Sequence, residues 1–225
     1  MNPDTESLQE MAYRNVKEQI LQLRLKPGQY VTDTQIAQDL NISRTPVREA
    51  FYRLENEGLL VNAARRGWHV YSLSLDDIHH IFDLKIAIEG LIARQAAACQ
   101  VEALREQLRV AVHDMHGAVA AHSPHDWLNA DYKLHDTLFR MVGNKRAERI
   151  VLNLNDQWHR LRIGFAALEG RIERSAQEHQ LFVDAILAGD AERAEKAMRD
   201  HLNQVRAELV RLLVNMVLPF VDEGV

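Results

Sequence analysis

Apolar side chains return to one helical face from the start of the chain: Leu8, Met11, Ala12, Val16, Ile20 and Leu23, with Pro27-Gly28 ending the run. Tyr30-Val31 leaves room only for a very short strand. Thr32 or Asp33 is placed to cap a short helix to about Leu40, and Asn41-Ile42-Ser43 forms a tight turn. Ser43 is then placed to cap a helix to about Glu57, which Gly58 stops; Pro46 falls in its first turn, where a missing N–H is tolerated. Leu59-Leu60-Val61 and Trp68-His69-Val70-Tyr71 flank Asn62–Gly67 and predict a two-stranded ribbon with a basic, glycine-containing tip.

Near Ser72–Ser74 the pattern changes to long helical periods rich in Ala, Leu, Glu and Arg. Six helices are predicted, near 75–98, 101–121, 124–142, 145–168, 171–188 and 190–218. Ser74 and Asp77 have capping-box spacing, and Pro124 after Ser123, Asn144 after Gly143 and Asp190 after Gly189 are start signals. The expected fold is mainly α. A winged helix-turn-helix of three helices and a small β-hairpin wing occupies 1–73, and an all-α six-helix antiparallel bundle occupies 74–225.

Composition narrows the setting. With 225 residues and 47% hydrophobic positions, the chain can bury a sizeable core. Cys99 is the only cysteine, so no internal disulfide forms. Met1–Glu10 lacks the basic and apolar regions of a secretion signal, and the most apolar stretches, Ile86–Ala98 and Leu209–Val221, carry charges. A cytoplasmic protein with no membrane partner is expected. The net charge of −5 does not advertise nucleic acid, and residues 24–70 hold seven basic against five acidic side chains, a mild bias. A case for DNA must rest on pattern.

The helix after Asn41-Ile42-Ser43 supplies that pattern. Val47, Ala50, Phe51 and Leu54 face a core, while Arg44, Arg48 and Tyr52 repeat at i, i+4 and i+8 on another face, with Thr45 beside them. Arginine suits such a face because its planar fork binds guanine O6 and N7, or a phosphate, through two N–H groups. Arg65, Arg66 and Gly67 at the ribbon tip suit backbone or minor-groove contact. The plainer alternative is a solvated face that happens to hold two arginines.

Ten of the eleven histidines follow residue 72. Asp131 and His135 are i, i+4 and share a face; His179 aligns with Phe182, Val183 and Ile186, and His201 with Ala194, Ala197, Met198 and Val205. Three helices thus each offer a ligand among apolar neighbours. One carboxylate and three imidazoles suit Zn²⁺, Ni²⁺ or Mn²⁺. The alternative is that each is a satisfied core or boundary histidine, since spacing alone does not bring three helices together.

Residues 12–71 resemble the DNA-binding domain of the GntR family of bacterial regulators. The pieces that carry this are Leu25-Lys26-Pro27-Gly28, Ile36-Ala37-Gln38-Asp39-Leu40, Ser43-Arg44-Thr45-Pro46-Val47-Arg48-Glu49-Ala50-Phe51-Tyr52-Arg53-Leu54, Glu57-Gly58-Leu59-Leu60 and Arg66-Gly67. The resemblance implies operator contacts from Ser43, Arg44, Thr45, Arg48 and Gly67. Thr34 stands where some members use an arginine. Residues 76–215 resemble the FCD ligand-binding domain of the FadR-type branch, through Asp83-Leu84-Lys85 to Glu89, Asp131 to His135, Glu178-His179, Ala185 to Asp190, and Ala194, Met198 and His201-Leu202. This implies a divalent metal held by Asp131, His135, His179 and His201, and the length implies the VanR-like subgroup. Lys85 stands where such domains often carry Arg; lysine is a point charge, not a fork.

The function expected is a ligand-responsive homodimeric repressor that binds a pseudo-palindromic operator and a small carboxylate-type effector. Lys85, Arg94, Arg140, His159 or Arg162 would line the effector cavity, or serve only as surface charges. A metalloenzyme is the rival class. No Glu-x-x-His pair, nucleophile elbow or phosphate loop occurs, so no catalytic residue is expected. A third reading keeps the regulator without a metal.

Overall fold

The computed structural model describes residues 7–63, 67–166 and 170–217, except the side chains of 160, 162–166 and 215–217. Its contacts define two compact units, 1–73 with 155–160, and 74–154 with 161–225.

In the first unit, α1 (Leu8–Leu21), α2 (Asp33–Asp39) and α3 (Arg44–Asn56) surround a core that includes Val16, Ile20, Ile36, Val47, Phe51 and Leu54. α1 ends two residues short of the apolar run, because Leu23 turns into the left-handed region at φ 59°. Strands β1 (Tyr30–Val31), β2 (Leu60–Asn62) and β3 (Trp68–Val70) make one antiparallel sheet in the order β1-β3-β2. The ribbon therefore gains a third strand: Val31 pairs with Trp68, and Leu60 with Val70.

Two capping expectations become more specific. Thr32, not Asp33, caps α2, its Oγ1 accepting from Gln35 N at 3.2 Å. Ser43 has the extended N-cap backbone of α3 but makes no side-chain cap. An N-cap hydroxyl bonds the N2 or N3 amide, and the N3 residue is Pro46, which has no N–H. The Ser43 hydroxyl is thus left on the exposed surface.

The second unit holds α4 (Leu75–Ala96), α5 (Glu102–Ala120), α6 (Pro124–Val142), most of α7 (Lys145–Ala166), α8 (Arg171–Leu187) and α9 (Ala191–Val217). The Ser74–Asp77 capping box opens α4, and Ser123 with Pro124 opens α6. α4 packs on α9, α6 and α8, while α5 packs on α6 and α8. Gly90 lets α9 come close to α4, since a Cβ there would lie 2.9 Å from Cγ of Arg199. No helix among the described residues is long and apolar enough to cross a membrane.

Candidate nucleic-acid interface and metal centre

The burial of Val47, Ala50, Phe51 and Leu54 turns the opposite face of α3 outward. Ser43, Arg44, Thr45, Arg48 and Tyr52 are all exposed on it. Both guanidinium groups reach the Asp33 carboxylate at the start of α2. Arg44 Nε and one terminal nitrogen donate to Oδ1 at 3.2 and 2.9 Å, and Arg48 Nε donates to Oδ2 at 2.7 Å. Burial alone would raise the Asp33 carboxyl; hydrogen bonds from Arg44 and Arg48 outweigh it and hold it below its ordinary value. Tyr52 sets its ring edge-on against Trp68 of β3, 5.2 Å between centroids. Gly67 has φ 85°, and a Cβ there would stand 3.2 Å from the Val31 carbonyl oxygen. Close packing of the wing on β1 is therefore reason enough for this glycine, apart from any DNA contact. Arg66 lies outside the described residues.

In the second unit α6 presents Trp127, Asp131 and His135 at successive turns, and α8 presents His179 from a fully buried position. One ligand atom each from Asp131, His135 and His179 falls within a 4.8 Å group. His201 of α9 adjoins this group, its ring centroid 4.4 Å from that of His179.

The hydrogen bonds fix which nitrogen each ring presents. His179 Nδ1 meets the Ser175 carbonyl oxygen at 2.7 Å; that oxygen only accepts, so Nδ1 carries the proton. His201 Nδ1 lies 2.7 Å from Glu178 Oε2, and His135 Nδ1 lies 3.4 Å from Glu89 Oε2. All three rings thus engage an oxygen through Nδ1 and keep Nε2 for another partner. Burial, with the neighbouring His135, pushes His179 down to about 3, and burial also drives His201 well below its usual value, so both are neutral near pH 7. His179 Nε2 is then a buried lone pair with no hydrogen-bond partner, and it lies 3.1 Å from Asp131 Oδ1. Two acceptors this close repel each other unless a cation lies near both. The donor set and its protonation fit a divalent metal.

Sequence reasoning missed the residues behind these ligands. Lys85, one of the expected effector residues, is buried and pairs at 2.5 Å with the equally buried Glu89, which reaches His135. Burial would raise the Glu89 carboxyl, but Lys85 and His135 outweigh it and hold it far below the carboxylate range. The i, i+4 spacing of Lys85 and Glu89 on an apolar helix face was the available signal. Glu178 joins His201 to the buried guanidinium of Arg171, 3.3 Å away. Trp127 adds a buried indole N–H without a hydrogen-bond partner, in a ring 6.1 Å from that of His179. Arg94 and Arg140 are exposed; Arg94 meets Glu195, and Arg140 meets Gln107 and Asp136. These outward partners separate both from the ligand group. His159 belongs to the stretch 155–160 that groups with the first unit. The side chain of Arg162 lies outside the described residues.

Known proteins share both parts. Residues 8–70 match the family model described as bacterial regulatory proteins, gntR family, and residues 80–204 match the FCD domain. The chain is 27% identical over 211 residues to the HTH-type transcriptional repressor RspR of Escherichia coli, covering 94% of this chain and 92% of that protein. It is 27% identical over 168 residues to the Nta operon transcriptional regulator of Aminobacter aminovorans, covering 72% and 75%. Among solved structures, E. coli McbR/YncC superposes with TM-score 0.71 at 19% identity over 93% of this chain and all (100%) of that one. Lar of Listeria monocytogenes gives 0.62 at 18% identity over 93% and 99%. At these identities the structural likeness speaks for the fold alone.

Proposed function

The chain belongs to the GntR family of bacterial regulatory proteins and carries an FCD domain, a DNA-binding transcriptional regulator rather than an enzyme, and from that premise we propose that it is a metal-dependent repressor whose operator affinity answers to a small carboxylate. The observation that carries the proposal is the buried imidazole of His179, whose Nε2 lacks a hydrogen-bond partner and lies 3.1 Å from the Asp131 carboxylate. Asp131, His135, His179 and His201 would hold a divalent ion such as Zn²⁺, Ni²⁺ or Mn²⁺, which supplies a Lewis-acidic anchor for an effector oxygen when bound. Glu89, the Ser175 carbonyl and Glu178 orient the rings, and Trp127 offers a buried donor to the effector. Lys85 keeps Glu89 ionised beside His135. Of the expected effector residues, this reading retains Lys85; the surface partners of Arg140 favour a structural role for it.

Ser43, Arg44, Thr45, Arg48 and Tyr52 of α3, with Arg66 and Gly67 of the wing, form the DNA-reading surface in this reading. A homodimer on a pseudo-palindromic operator follows from the geometry of helix-turn-helix recognition, since two heads reach two half-sites one helical turn apart. The six helices after the wing fit the VanR-like subgroup. Effector binding then shifts the balance between DNA-competent and incompetent arrangements.

Elemental analysis of protein purified without an affinity tag tests the metal. About one divalent ion per chain is expected; less than about 0.1, with the effector response intact after chelation, rejects the requirement. Arg48→Ala tests the reading face and should weaken operator binding by about 1–3 kcal/mol. Unchanged affinity removes Arg48 from that face.

A further inference from the structure

Resting on the DNA-reading role of α3, we propose that Asp33 is a positioning residue that sets operator specificity by splinting Arg44 and Arg48 into one rigid unit with unequal tasks. Arg48 becomes the two-pronged base reader and Arg44 the single-contact partner for a phosphate.

The hydrogen bonds divide the work. Asp33 Oδ1 accepts from Arg44 Nε at 3.2 Å and from its terminal nitrogen Nη2 at 2.9 Å, and takes the Thr34 hydroxyl at 3.3 Å. Oδ2 accepts from Arg48 Nε at 2.7 Å and from Arg44 Nη2 at 3.1 Å. Arg44 thus commits one whole side of its fork to Asp33. Arg48 commits Nε alone and keeps both terminal nitrogens for the outer edge. That pair can meet guanine O6 and N7 together, whereas one terminal nitrogen of Arg44 is already shared between both Asp33 oxygens.

The carboxylate is not needed as a helix cap. Thr32 already caps α2. The Asp33 side chain is 11% exposed, whereas those of Arg44 and Arg48 are 57% and 60% exposed, so the splint grips the inner edges and leaves the outer ones in solvent. Two guanidinium groups four residues apart on one helix repel each other, and the shared carboxylate offsets that repulsion. Long arginine side chains lose rotamer freedom on docking, and holding them beforehand reduces that loss for the matched site. Nonspecific binding, which needs only positive charge near phosphates, gains nothing from such order and suffers from the nearby negative charge.

Asp33→Asn therefore acts in opposite directions on two measurements. The probe is a duplex selected from a randomised pool by the unaltered chain, with a scrambled duplex of equal length as control. Asp33→Asn should lower affinity for the selected duplex about tenfold, leave or raise affinity for the scrambled one, and so narrow the ratio at least tenfold. Asp33→Glu should recover part of the ratio. In an Arg48→Ala background, Asp33→Asn should cost far less, because Asp33 acts through Arg48. An unchanged or widened ratio in a folded Asp33→Asn chain, or full additivity with Arg48→Ala, overturns the proposal. If Asp33→Asn does not fold, the comparison of Asp33→Glu with the unaltered chain decides by the same ratio, a narrowing supporting the splint and no change rejecting it. An unaltered chain that selects no duplex from the pool rejects the DNA-reading role, and this proposal with it.

Discussion

Glu178 Oε2 lies 2.7 Å from His201 Nδ1, which directs the other ring nitrogen, Nε2, away from the carboxylate that orients it. Glu178 also meets the buried Arg171, so one carboxylate ties the ring to a fixed cation. Glu178→Gln should weaken metal binding by about 10–100-fold, the usual cost of losing an orienting partner. Competition against a chromogenic chelator measures it. An affinity within twofold of the unaltered protein removes Glu178 from the metal centre.

The Lys85–Glu89 pair makes a different prediction because both side chains are buried. Lys85→Met leaves a buried carboxylate without its cation and should destabilise the fold by about 3–5 kcal/mol. Replacing both, as Lys85→Met with Glu89→Leu, should recover most of that loss. Urea unfolding of the three chains checks it; a single variant as stable as the unaltered protein contradicts the burial of the pair.

Acid should destabilise the chelated protein through its buried imidazoles. His179 is held down to about 3 in the folded chain, against 6.5 for the ordinary side chain. Between those values the unfolded chain binds a proton that the folded chain refuses, so stability rises with pH across the window and is lost as pH falls below 6.5. Each such imidazole contributes about 1 kcal/mol per pH unit. Chelated His179→Gln should therefore lose less stability than the chelated unaltered chain between pH 7 and pH 5. Equal losses would show that His179 takes up its proton in the folded state.

Periodicity made parts of both sites readable. Arg44, Arg48 and Tyr52 sit on the exposed face that their spacing assigns, because the apolar positions of α3 leave them no other. Asp131 and His135 share a face for the same reason. What escaped depends on contacts between distant segments. Glu178 reads as an ordinary polar residue until α9 brings His201 to it. Lys85 reads equally well as a surface charge, and only the packing of α4 against α6, α8 and α9 buries it. Thr32 and Asp33 read equally well as the helix cap, and Thr32 takes that place, which frees Asp33 to meet the two arginines. Ser43 stands at the N-cap of α3 as its sequence position implies, but without a side-chain cap, since the proline at the third helical position removes one of the amides its hydroxyl would bond.

Occupancy of the Asp131–His135–His179–His201 site should alter operator binding. Its most direct test is fluorescence anisotropy of a labelled operator duplex with metal-loaded, untagged protein, titrated with a small carboxylate already found to raise the protein's melting temperature. The account predicts at least a fivefold change in operator affinity, abolished by chelation and by His179→Gln. Operator affinity that stays constant while the carboxylate saturates the protein would contradict it.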